Sequence, residues 1–436
     1  MKALLDKIDS KEAVIGIVGM GYVGLPLAIA FAECGFRVRG FDTDLEKLSK
    51  LRRGVQYLSH VEPKEFFPFV ERGQLDFAAS YSDLAFCNVF IVCVPTPLTA
   101  NREPDLSFIE QAANGLKVCV LPSKLFVLES STYPGTTREV FARILSKDMR
   151  MEIGRDIFIA HSPERQDPGN QRFKTRNVPK VVGGLTRNCL CVASRLYRKV
   201  IETVVDVEDA ETAEMVKLFE NTYRMVNIAV VNELKVLCHR LGLDVWSVVK
   251  AAATKPFGFQ SFKPGPGLGG HCIPIDPFYL TWKARQVGMN TRFIELAGEI
   301  NAGMPHYVVE RLTHALNEHS KPVKGASVLV LGVAYKANVN DVRESPAIKV
   351  MQLLQELGAA VEYHDPRIPL LEVCGQPTLE SVPLTTDRIR AADVVLVLTD
   401  HEGVDYVKVG ELAKLIVDSR NVEALRSLNR GRYCSA

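Results

Sequence analysis

The chain has 436 residues, a length that predicts two or three domains rather than one hydrophobic core. Hydrophobic residues make up 47% of the sequence and charged residues 24%, which excludes disordered and fibrous proteins. The formal net charge of +2 argues against a protein whose main function is to bind nucleic acid.

The cysteines and the N-terminal residues indicate the compartment. Ten cysteines are scattered between Cys34 and Cys434 and no two form a C-x-x-C pair, so neither a disulfide framework nor a metal site is expected. Charged residues are dense in 1–14, which rules out the apolar core of a signal peptide. No apolar stretch is long enough to cross a bilayer, so we expect a soluble, cytoplasmic protein with no membrane or nucleic-acid partner.

The N-terminal part alternates short apolar runs with helical patterns. The β-branched run 14–18 predicts a strand that is buried on both faces. A glycine-rich turn, a helix over 25–32 and a strand over 37–41 follow, and the two strands of such a unit are parallel. Further strands are predicted at 89–94, 125–130 and 157–161. The pattern predicts an open, doubly wound sheet of the Rossmann type.

Two long helices are predicted in the middle of the chain. Segment 212–241 contains no Gly or Pro, and apolar residues cover most of its circumference, so this helix must be buried between domains or between subunits. Gly242 is expected to end it. Its broad apolar surface predicts a homodimer or a higher homo-oligomer. The second helix is predicted over 293–318, with a break or kink at Pro305.

After residue 322 the α/β alternation starts again. An amphipathic helix is predicted over 347–357. Strands are predicted at 327–332, 360–364, 394–398 and 415–418. The predicted fold class is therefore α/β, with an N-terminal Rossmann domain, a central helical segment and a C-terminal Rossmann-like domain.

The turn after the first strand carries a dinucleotide-binding fingerprint. The residues that match G-x-G-x-x-G are Gly19, Met20, Gly21, Tyr22, Val23 and Gly24. Such glycines let the backbone approach a pyrophosphate at a helix N-terminus. Asp42 ends the next strand, where a carboxylate binds a ribose diol and repels a 2′-phosphate, so NAD is favoured over NADP. The nearby cations Arg39 and Lys47 soften that preference, and the alternative is a glycine turn that binds no ligand.

The most unusual stretch is 264–277, in which glycines and prolines precede a single thiol, that of Cys272. It predicts a rigid loop with backbone amides free to hold an anion. His271 and Asp276 flank Cys272 and could activate the thiol or position water. The alternative is a buried, inert cysteine.

Several ordered motifs extend over nearly the whole chain. They lie at 19–26, 94–97, 130–132, 162–165, 269–277 and 341–346, together with Lys217, Asn221 and Lys336. Together they resemble the UDP-glucose/GDP-mannose dehydrogenase family. Within it, 161–165 and 264–267 look like the branch that acts on UDP-N-acetylhexosamines. Segments 179–184 and 293–301 are similar to members that act on UDP-N-acetylglucosamine.

The resemblance implies a four-electron oxidation of the sugar C6 alcohol to a carboxylate, with two molecules of NAD as hydride acceptors. UDP-N-acetylglucosamine is the favoured substrate, and UDP-N-acetylmannosamine and UDP-glucose are the alternatives within the family. Cys272 would attack the intermediate aldehyde, and the thiohemiacetal would become a thioester that water hydrolyses. Two other classes remain open: a two-electron hydroxyacid-type dehydrogenase and a non-catalytic nucleotide-sugar-binding protein.

The resemblance also implies roles for polar side chains around Cys272. Lys217 and Asn221 are four residues apart on one helix face, and a cation with an amide donor suits a developing oxyanion. Glu164 matches the carboxylate that activates water, unless it only forms a salt bridge with its neighbour. Asp276 matches a second carboxylate, paired with water or with Lys217. Thr132 is expected to contact both the reacting centre and the cofactor.

The remaining contacts involve the two diphosphates. Lys336 corresponds to a contact with the UDP end, and Arg343 to a cofactor contact unless it pairs with Asp341 or Glu344. Thr96 ends a predicted strand, where ligands of open α/β sheets bind. The implied substrate contacts are Glu164, Arg165, Lys217, Asn221, Phe262, Gly267 and Lys336. The implied domains are 1–205 for NAD binding, 206–318 for catalysis and dimerisation, and 319–436 for UDP binding.

Overall fold

Two groups of residues each surround a hydrophobic core of their own. We call them the N-terminal unit (Met1–Glu220 with Phe278–Met289) and the C-terminal unit (Asn221–Pro277 with Asn290–Ala436). The computed structural model describes residues 1–58, 61–99, 101, 103–147, 151–165, 173, 175–270, 272–373, 377–426 and 432–436.

The core of the N-terminal unit is an eight-stranded sheet. Its strands are β1 (Val14–Val18), β2 (Arg37–Phe41), β3 (Leu75–Ala78), β4 (Val89–Val92), β5 (Lys124–Leu128), β6 (Ile157–His161), β7 (Lys180–Gly184) and β8 (Val204–Asp206). The order is β3-β2-β1-β4-β5-β6-β7-β8, and only β6 and β7 pair in antiparallel fashion. Because helices cover both faces, β4 and β5 are buried at every position. The predicted doubly wound sheet is confirmed.

Helices cover this sheet on both sides. They are α1 (Lys2–Asp9), α2 (Gly24–Glu33), α3 (Leu45–Arg52), α4 (Pro63–Glu71), α5 (Ser107–Leu116), α6 (Arg143–Ser146) and α7 (Arg187–Tyr197). Short 3₁₀ turns lie at Tyr81–Leu84 and Lys117–Cys119, and a π-helical turn lies at Thr137–Ala142. The strand order reverses between β1 and β4, which makes that edge of the sheet the expected ligand-binding edge.

One long helix, α8 (Ala210–Arg240), contains 31 residues and continues from the first unit into the second. The predicted helix over 212–241 is therefore confirmed, and Gly242 adopts the left-handed φ of +70° that follows its end. One side of α8 is buried, through residues such as Leu218 and Met225. The other side exposes Phe219 and Val230, with 64% and 58% of their surfaces accessible.

The start of α8 also fixes a loop of the N-terminal unit. Glu214 is buried, and its carboxylate accepts hydrogen bonds from the amides of Gly135 and Thr137 at 2.6 and 2.7 Å. The Thr137 hydroxyl donates a third at 2.6 Å. These bonds satisfy amides that a helix start leaves without partners. They hold the C-terminal end of the loop that carries Thr132.

Three further helices follow in the chain: α9 (Val245–Ala252), α10 (Asp276–Gln286) and α11 (Arg292–Glu318). Of the break or kink predicted at Pro305, the break was wrong, because α11 is one continuous helix of 27 residues, and the kink stays a prediction. Met304 and Val308 are buried on either side of Pro305, and their packing outweighs the one backbone hydrogen bond that a proline removes. None of the helices that the described residues form is long and apolar enough to cross a membrane.

The C-terminal unit contains a second sheet. Its elements in chain order are β9 (Ser327–Leu331), α12 (Pro346–Glu356), β10 (Ala360–His364), β11 (Leu370–Leu371), β12 (Leu379–Glu380), α13 (Thr386–Ala391), β13 (Val394–Val397), α14 (Tyr406–Leu412), β14 (Ile416–Asp418), α15 (Glu423–Arg426) and β15 (Tyr433–Ser435). The five strands β10-β9-β13-β14-β15 are parallel, and β11 and β12 form a separate antiparallel pair. The predicted α/β alternation is confirmed.

Candidate active site

The glycine loop between β1 and α2 has no room for side chains at two positions. Gly19 has a φ of +94°, and a Cβ there would lie 2.4 Å from the carbonyl oxygen of Cys93. A Cβ on Gly24 would lie 1.8 Å from the Gly19 carbonyl oxygen. In contrast, a Cβ on Gly21 would meet nothing within 4 Å. The loop is therefore tightly packed at Gly19 and Gly24 and open at Gly21, which fits a loop whose backbone amides bind a diphosphate.

A carboxylate lies beside this loop. Asp42 is buried after β2 and accepts hydrogen bonds from the amides of Met20 at 2.9 Å and Asp44 at 3.0 Å. The Lys47 ammonium pairs with the same carboxylate at 2.8 Å. Lys47 therefore offsets part of the negative charge of Asp42, as its position in the sequence indicated. Tyr22 and Val23 lie in the turn itself, and the Val23 carbonyl accepts the amide of Leu27 in α2 at 3.1 Å.

We expect Gly24→Ala to destabilise the N-terminal unit. Its Cβ would lie 1.8 Å from the Gly19 oxygen and 3.2 Å from Cγ2 of Ile17, so the backbone must shift, at a cost of about 1–3 kcal/mol. Thermal unfolding measures the effect. Gly303→Ala in α11 is the matched control, because its Cβ meets nothing within 4 Å, and it should stabilise by about 0.5–1 kcal/mol. Equal midpoints for Gly24→Ala and the wild type would contradict the prediction.

Two threonines lie beyond the carboxyl ends of the adjacent strands β4 and β5. Thr132 is buried, and its hydroxyl donates to that of Thr136 at 2.5 Å. The carbonyl of Thr96 accepts a hydrogen bond from the phenol of Tyr279 in α10. Parallel strands end at the same edge of a sheet, so both threonines lie at the edge that carries the glycine loop.

Glu164 and Arg165 follow β6 and are held by different partners. Glu164 is 7% exposed; its carboxylate accepts from the Arg165 amide at 2.8 Å and from the Lys180 ammonium at 3.1 Å. The Arg165 guanidinium pairs instead with Glu220 at 2.6 Å and donates to the Pro179 carbonyl at 2.7 Å. Glu164 pairs with Lys180 and Arg165 pairs with Glu220, so each side chain has an ionic partner other than its neighbour.

His161, the last residue of β6, is buried and uncharged. Burial lowers the pKa of its imidazole to about 3, helped by the charges of Lys217 and Lys180. Its Nδ1 lies 3.3 Å from the Thr137 hydroxyl. The charge of Lys217, which is half-buried on α8, therefore reaches the end of β6.

We expect His161 to make the fold sensitive to acid. The folded pKa lies below the unfolded value of 6.5, so the stability is present above pH 6.5 and is lost as the pH falls towards 3. At pH 5 the loss is about 2 kcal/mol. Between pH 7 and pH 5, the free energy of unfolding in urea should decrease less for His161→Gln than for the wild type. For His319→Gln, at an exposed position, it should decrease as much as for the wild type.

The Cys272 loop belongs to the C-terminal unit. Cys272 is half-buried, and its carbonyl accepts the amides of Ile275 at 3.0 Å and Asp276 at 2.8 Å, which turns the chain into α10. The helix begins at Asp276, so the last two residues of the predicted loop are helical. Asp276 is buried and accepts a hydrogen bond from the Asn221 amide at 2.6 Å, a partner that the sequence did not indicate. His271 lies outside the described residues.

The glycine and proline part of this loop is pinned by two asparagines. The side-chain oxygen of Asn232 in α8 accepts the amide of Gly265 at 2.9 Å, and its nitrogen donates to Asn301 in α11 at 2.9 Å. Asn301 in turn donates to the Met225 carbonyl at 3.2 Å. Both asparagines are at least nine-tenths buried, and an amide in an apolar helix needs such partners. Sequence analysis missed them, although two amides on apolar helices were a usable signal.

Other predicted site residues lie near the same loop. The Phe262 ring packs edge-on against Tyr223, with the ring centroids 5.9 Å apart. Gly267 has a φ of +136°, and a Cβ there would lie 3.0 Å from Cβ of Pro346. Lys336 is half-buried in the loop after β9. These residues share the C-terminal unit with Cys272.

Arg343 forms an ion pair with Asp341, and its role as a cofactor contact stays a prediction. Its guanidinium lies 2.6 Å from the carboxylate of Asp341, while about half of its side chain is exposed. The Arg343 carbonyl also accepts the amide of Gly270 at 2.9 Å, which links this segment to the Cys272 loop.

Each unit therefore gathers its own set of predicted residues. The N-terminal unit holds Gly19, Gly21, Tyr22, Val23, Gly24, Asp42, Lys47, Thr96, Thr132, Glu164, Arg165 and Lys217. The C-terminal unit holds Asn221, Phe262, Gly267, Cys272, Asp276, Lys336 and Arg343.

Three domain models of one protein family match most of the chain. The family's NAD binding domain matches residues 13–201, its central domain matches 211–303 and its UDP binding domain matches 329–424. A UDP-N-acetyl-D-glucosamine 6-dehydrogenase from Pseudomonas aeruginosa is 36% identical over 357 residues, which are 82% of this chain and 83% of that protein.

Two further comparisons involve Pyrococcus horikoshii. A UDP-N-acetyl-D-mannosamine dehydrogenase from this organism is 34% identical over 416 residues, which are 94% of this chain and 95% of that protein. The solved structure of its UDP-D-ManNAc dehydrogenase superposes with a TM-score of 0.88 at 32% identity, covering 97% of this chain and 98% of that one. The chain belongs to the UDP-glucose/GDP-mannose dehydrogenase family.

Proposed function

We propose that the protein oxidises the C6 alcohol of a UDP-N-acetylhexosamine, with UDP-N-acetylglucosamine as the first choice, to the uronic acid. Relatives named for N-acetylglucosamine and N-acetylmannosamine substrates support this substrate class. The observation that carries the proposal is the half-buried thiol of Cys272 in a pinned glycine-rich loop. A two-electron dehydrogenase needs no such thiol.

The overall reaction balances as a four-electron oxidation. The alcohol and one water become a carboxylate, two hydrides leave with their electron pairs, and three protons are released. When bound at the glycine loop, NAD supplies the hydride acceptor for both oxidations. The residues proposed to hold it are Gly19, Gly21, Tyr22, Val23, Gly24, Asp42, Lys47, Thr96, Thr132 and Arg343.

Cys272 keeps the aldehyde from escaping between the two oxidations. Its sulfur adds to C6, which forms a C–S bond and a thiohemiacetal, and loss of the second hydride leaves a thioester. Asn221 donates to the oxygen on C6 as charge develops there, together with Lys217. The Asn221–Asp276 hydrogen bond fixes the orientation of that amide.

Glu164 removes a proton from the water that attacks the thioester. The C–S bond then breaks, the carboxylate leaves, and the thiol of Cys272 is restored. Thr132 lies at the same edge of the sheet as Glu164, beyond the carboxyl ends of the strands, and contacts the reacting C6 group. Lys336 binds the diphosphate of UDP, and the contacts to the rest of the substrate come from Arg165, Phe262 and Gly267.

The test is to supply the purified protein with NAD and each of these three UDP-sugars, UDP-N-acetylglucosamine, UDP-N-acetylmannosamine and UDP-glucose, and to follow NADH. We expect the highest kcat/KM with UDP-N-acetylglucosamine and a uronate as the product. A preference for UDP-glucose would refute the substrate choice, and UDP-N-acetylmannosamine is the nearest alternative. Binding of a UDP-sugar without NADH formation would indicate a non-catalytic protein instead.

The three functions, NAD binding, catalysis and UDP binding, belong to successive parts of the chain. Residues 1–205 bind NAD, residues 206–318 carry catalytic groups and the subunit interface, and residues 319–436 bind UDP. We place the protein in the cytoplasm, where nucleotide sugars and reduced thiols are available.

We expect a homodimer or a higher homo-oligomer, assembled through the exposed apolar side of α8. This side includes Phe219 and Val230, which a monomer would leave in contact with water. Val230→Asp should shift the sedimentation coefficient towards the monomer, because it buries a charge in the interface. Val407→Asp, at an equally exposed valine of α14, is the control. A monomeric wild-type protein would contradict the expectation.

A further inference from the structure

A buried cluster of charged side chains lies behind Glu164 in the N-terminal unit. Lys180, the first residue of β7, places its ammonium 3.0 Å from Glu129 and 3.1 Å from Glu164. The side chains of Lys180, Glu129 and Glu164 are 6%, 0% and 8% exposed. The phenol of Tyr197 donates to the second oxygen of Glu129. One ammonium therefore joins two carboxylates that are shielded from water.

One ammonium is shared by the two buried carboxylates of the cluster. Two ionised carboxylates that share one buried cation repel each other, which favours the retention of a proton by one of them. Burial raises the pKa of Glu129 to about 7, against the lowering influence of Lys180. Burial opposes the charge of Lys180, yet the two carboxylates raise its pKa, so it stays an ammonium. Glu129, the carboxyl farther from solvent, is therefore the one that we expect to retain a proton.

The other titratable groups around the cluster do not supply that proton. Those that face it are Cys93, His161 and Tyr197. Burial raises the pKa of Cys93 and of Tyr197, so both remain neutral, and burial keeps the His161 imidazole neutral. Glu129 is the member of the cluster that changes charge near neutral pH.

We propose that Lys180 and Glu129 are positioning residues for Glu164. Lys180 fixes the orientation of the Glu164 carboxylate, and Glu129 changes the charge beside that carboxylate when it gains or loses a proton. The proposal rests on the proposed function, in which Glu164 accepts a proton from water. Both oxygens of Glu164 are held, one by Lys180 and the other by the Arg165 amide. When Glu129 loses its proton, it competes for the ammonium, and Glu164 becomes a stronger base.

The test measures hydrolysis separately from hydride transfer. The protein is mixed with UDP-N-acetylglucosamine and NAD and quenched in acid, and intact mass follows the adduct on Cys272 while absorbance follows NADH. Glu129→Gln mimics the protonated form at every pH. We expect the ratio of wild-type to Glu129→Gln hydrolysis rates to rise about three- to tenfold between pH 6 and pH 8. A ratio that does not change with pH overturns the role of Glu129.

A second variant tests the positioning role of Lys180. The double variant Lys180→Met/Glu129→Leu removes the ammonium together with the carboxyl of Glu129, its other partner. Hydrolysis should slow about 100-fold, with NADH formed before hydrolysis at a rate within about twofold of the wild type. Hydrolysis at the wild-type rate, or equal loss of both steps, overturns the positioning role.

Lys124 supplies the matched control. It is another buried lysine of the same sheet, in β5, but its ammonium donates to the carbonyls of Ala85 and Cys87 rather than to carboxylates. Lys124→Met should lower the unfolding midpoint and leave the pH dependence of hydrolysis unchanged. The same change of pH dependence in this variant would show that any buried lysine produces it, and would overturn the proposal.

Infrared spectroscopy separates failure of this inference from failure of the proposed function. If the wild type forms no NADH with any UDP-sugar, the proposed function fails. The protonation of Glu129 is still measured, as a carboxylic acid band in the wild type that disappears as the pH rises through about 7. The buried carboxyl of Glu214 also has its pKa raised to about 7, so the Glu129 band is the part that is lost in Glu129→Gln. Equal bands in the wild type and in Glu129→Gln overturn the inference.

Discussion

Cys272→Ser is expected to lower the rate of uronate formation on the order of 10³-fold. A hydroxyl is a much weaker nucleophile than a thiol at neutral pH, so the aldehyde is no longer captured and the thioester cannot form. The substrate should still bind, because the loop is held by backbone and asparagine contacts that do not involve the thiol. Uronate is measured by chromatography, and binding of the UDP-sugar by calorimetry.

Cys191→Ser is the control for this experiment. Cys191 is an exposed cysteine on α7, so its replacement should leave both uronate formation and binding unchanged. Turnover of Cys272→Ser at the wild-type rate would contradict the covalent mechanism. It would favour the two-electron class of dehydrogenase.

Glu164→Gln is expected to stop the reaction after both oxidations. Glutamine keeps the size of the side chain and can accept the Lys180 hydrogen bond, but it cannot take a proton from water. Each site should form about two equivalents of NADH and then stall, with hydrolysis slowed roughly 10²- to 10⁴-fold. Rapid-mixing absorbance measures the NADH, and intact mass detects the thioester on Cys272.

Glu152→Gln is the matched control. Glu152 precedes β6, and its carboxylate is 63% exposed and pairs with Arg155. Its loss should leave turnover unchanged. If Glu164→Gln turned over at the wild-type rate, or formed less than one equivalent of NADH, Glu164 would not be the base for hydrolysis.

The sequence predicted the strands and helices that carry a strong local pattern. β1 and β6 have the bounds expected, because each is a mostly apolar run, and β10 also has them although it includes Glu362 and His364. The predicted ends at residues 94 and 130 were too late. Ser130 uses its hydroxyl to accept the Val94 amide at 3.0 Å and to donate to the Val94 carbonyl at 2.7 Å, so both residues tie loops together beyond the strands.

The candidate site was predictable as a list of residues but not as a set of contacts. Its glycines and its thiol stand out because few other folds require them at that spacing. The partners are different: Asn221 meets Asp276 across 55 positions, and Lys180 meets Glu129 across 51. Such pairs depend on how helices and strands pack, which a local pattern does not contain. A charged residue next to an apolar strand does indicate that a partner exists.

The cluster of Glu129, Glu164 and Lys180 also constrains how the sheet assembles. Glu129 follows β5, Glu164 follows β6 and Lys180 is the first residue of β7, so each strand contributes one charged side chain. A chain in which β5 and β6 had docked without β7 would lack the ammonium that contacts both carboxyls, and the loss of one partner from a buried ion pair costs several kcal/mol. We therefore expect intermediates of that kind to be sparsely populated, and β7 to gain and lose its order together with β5 and β6.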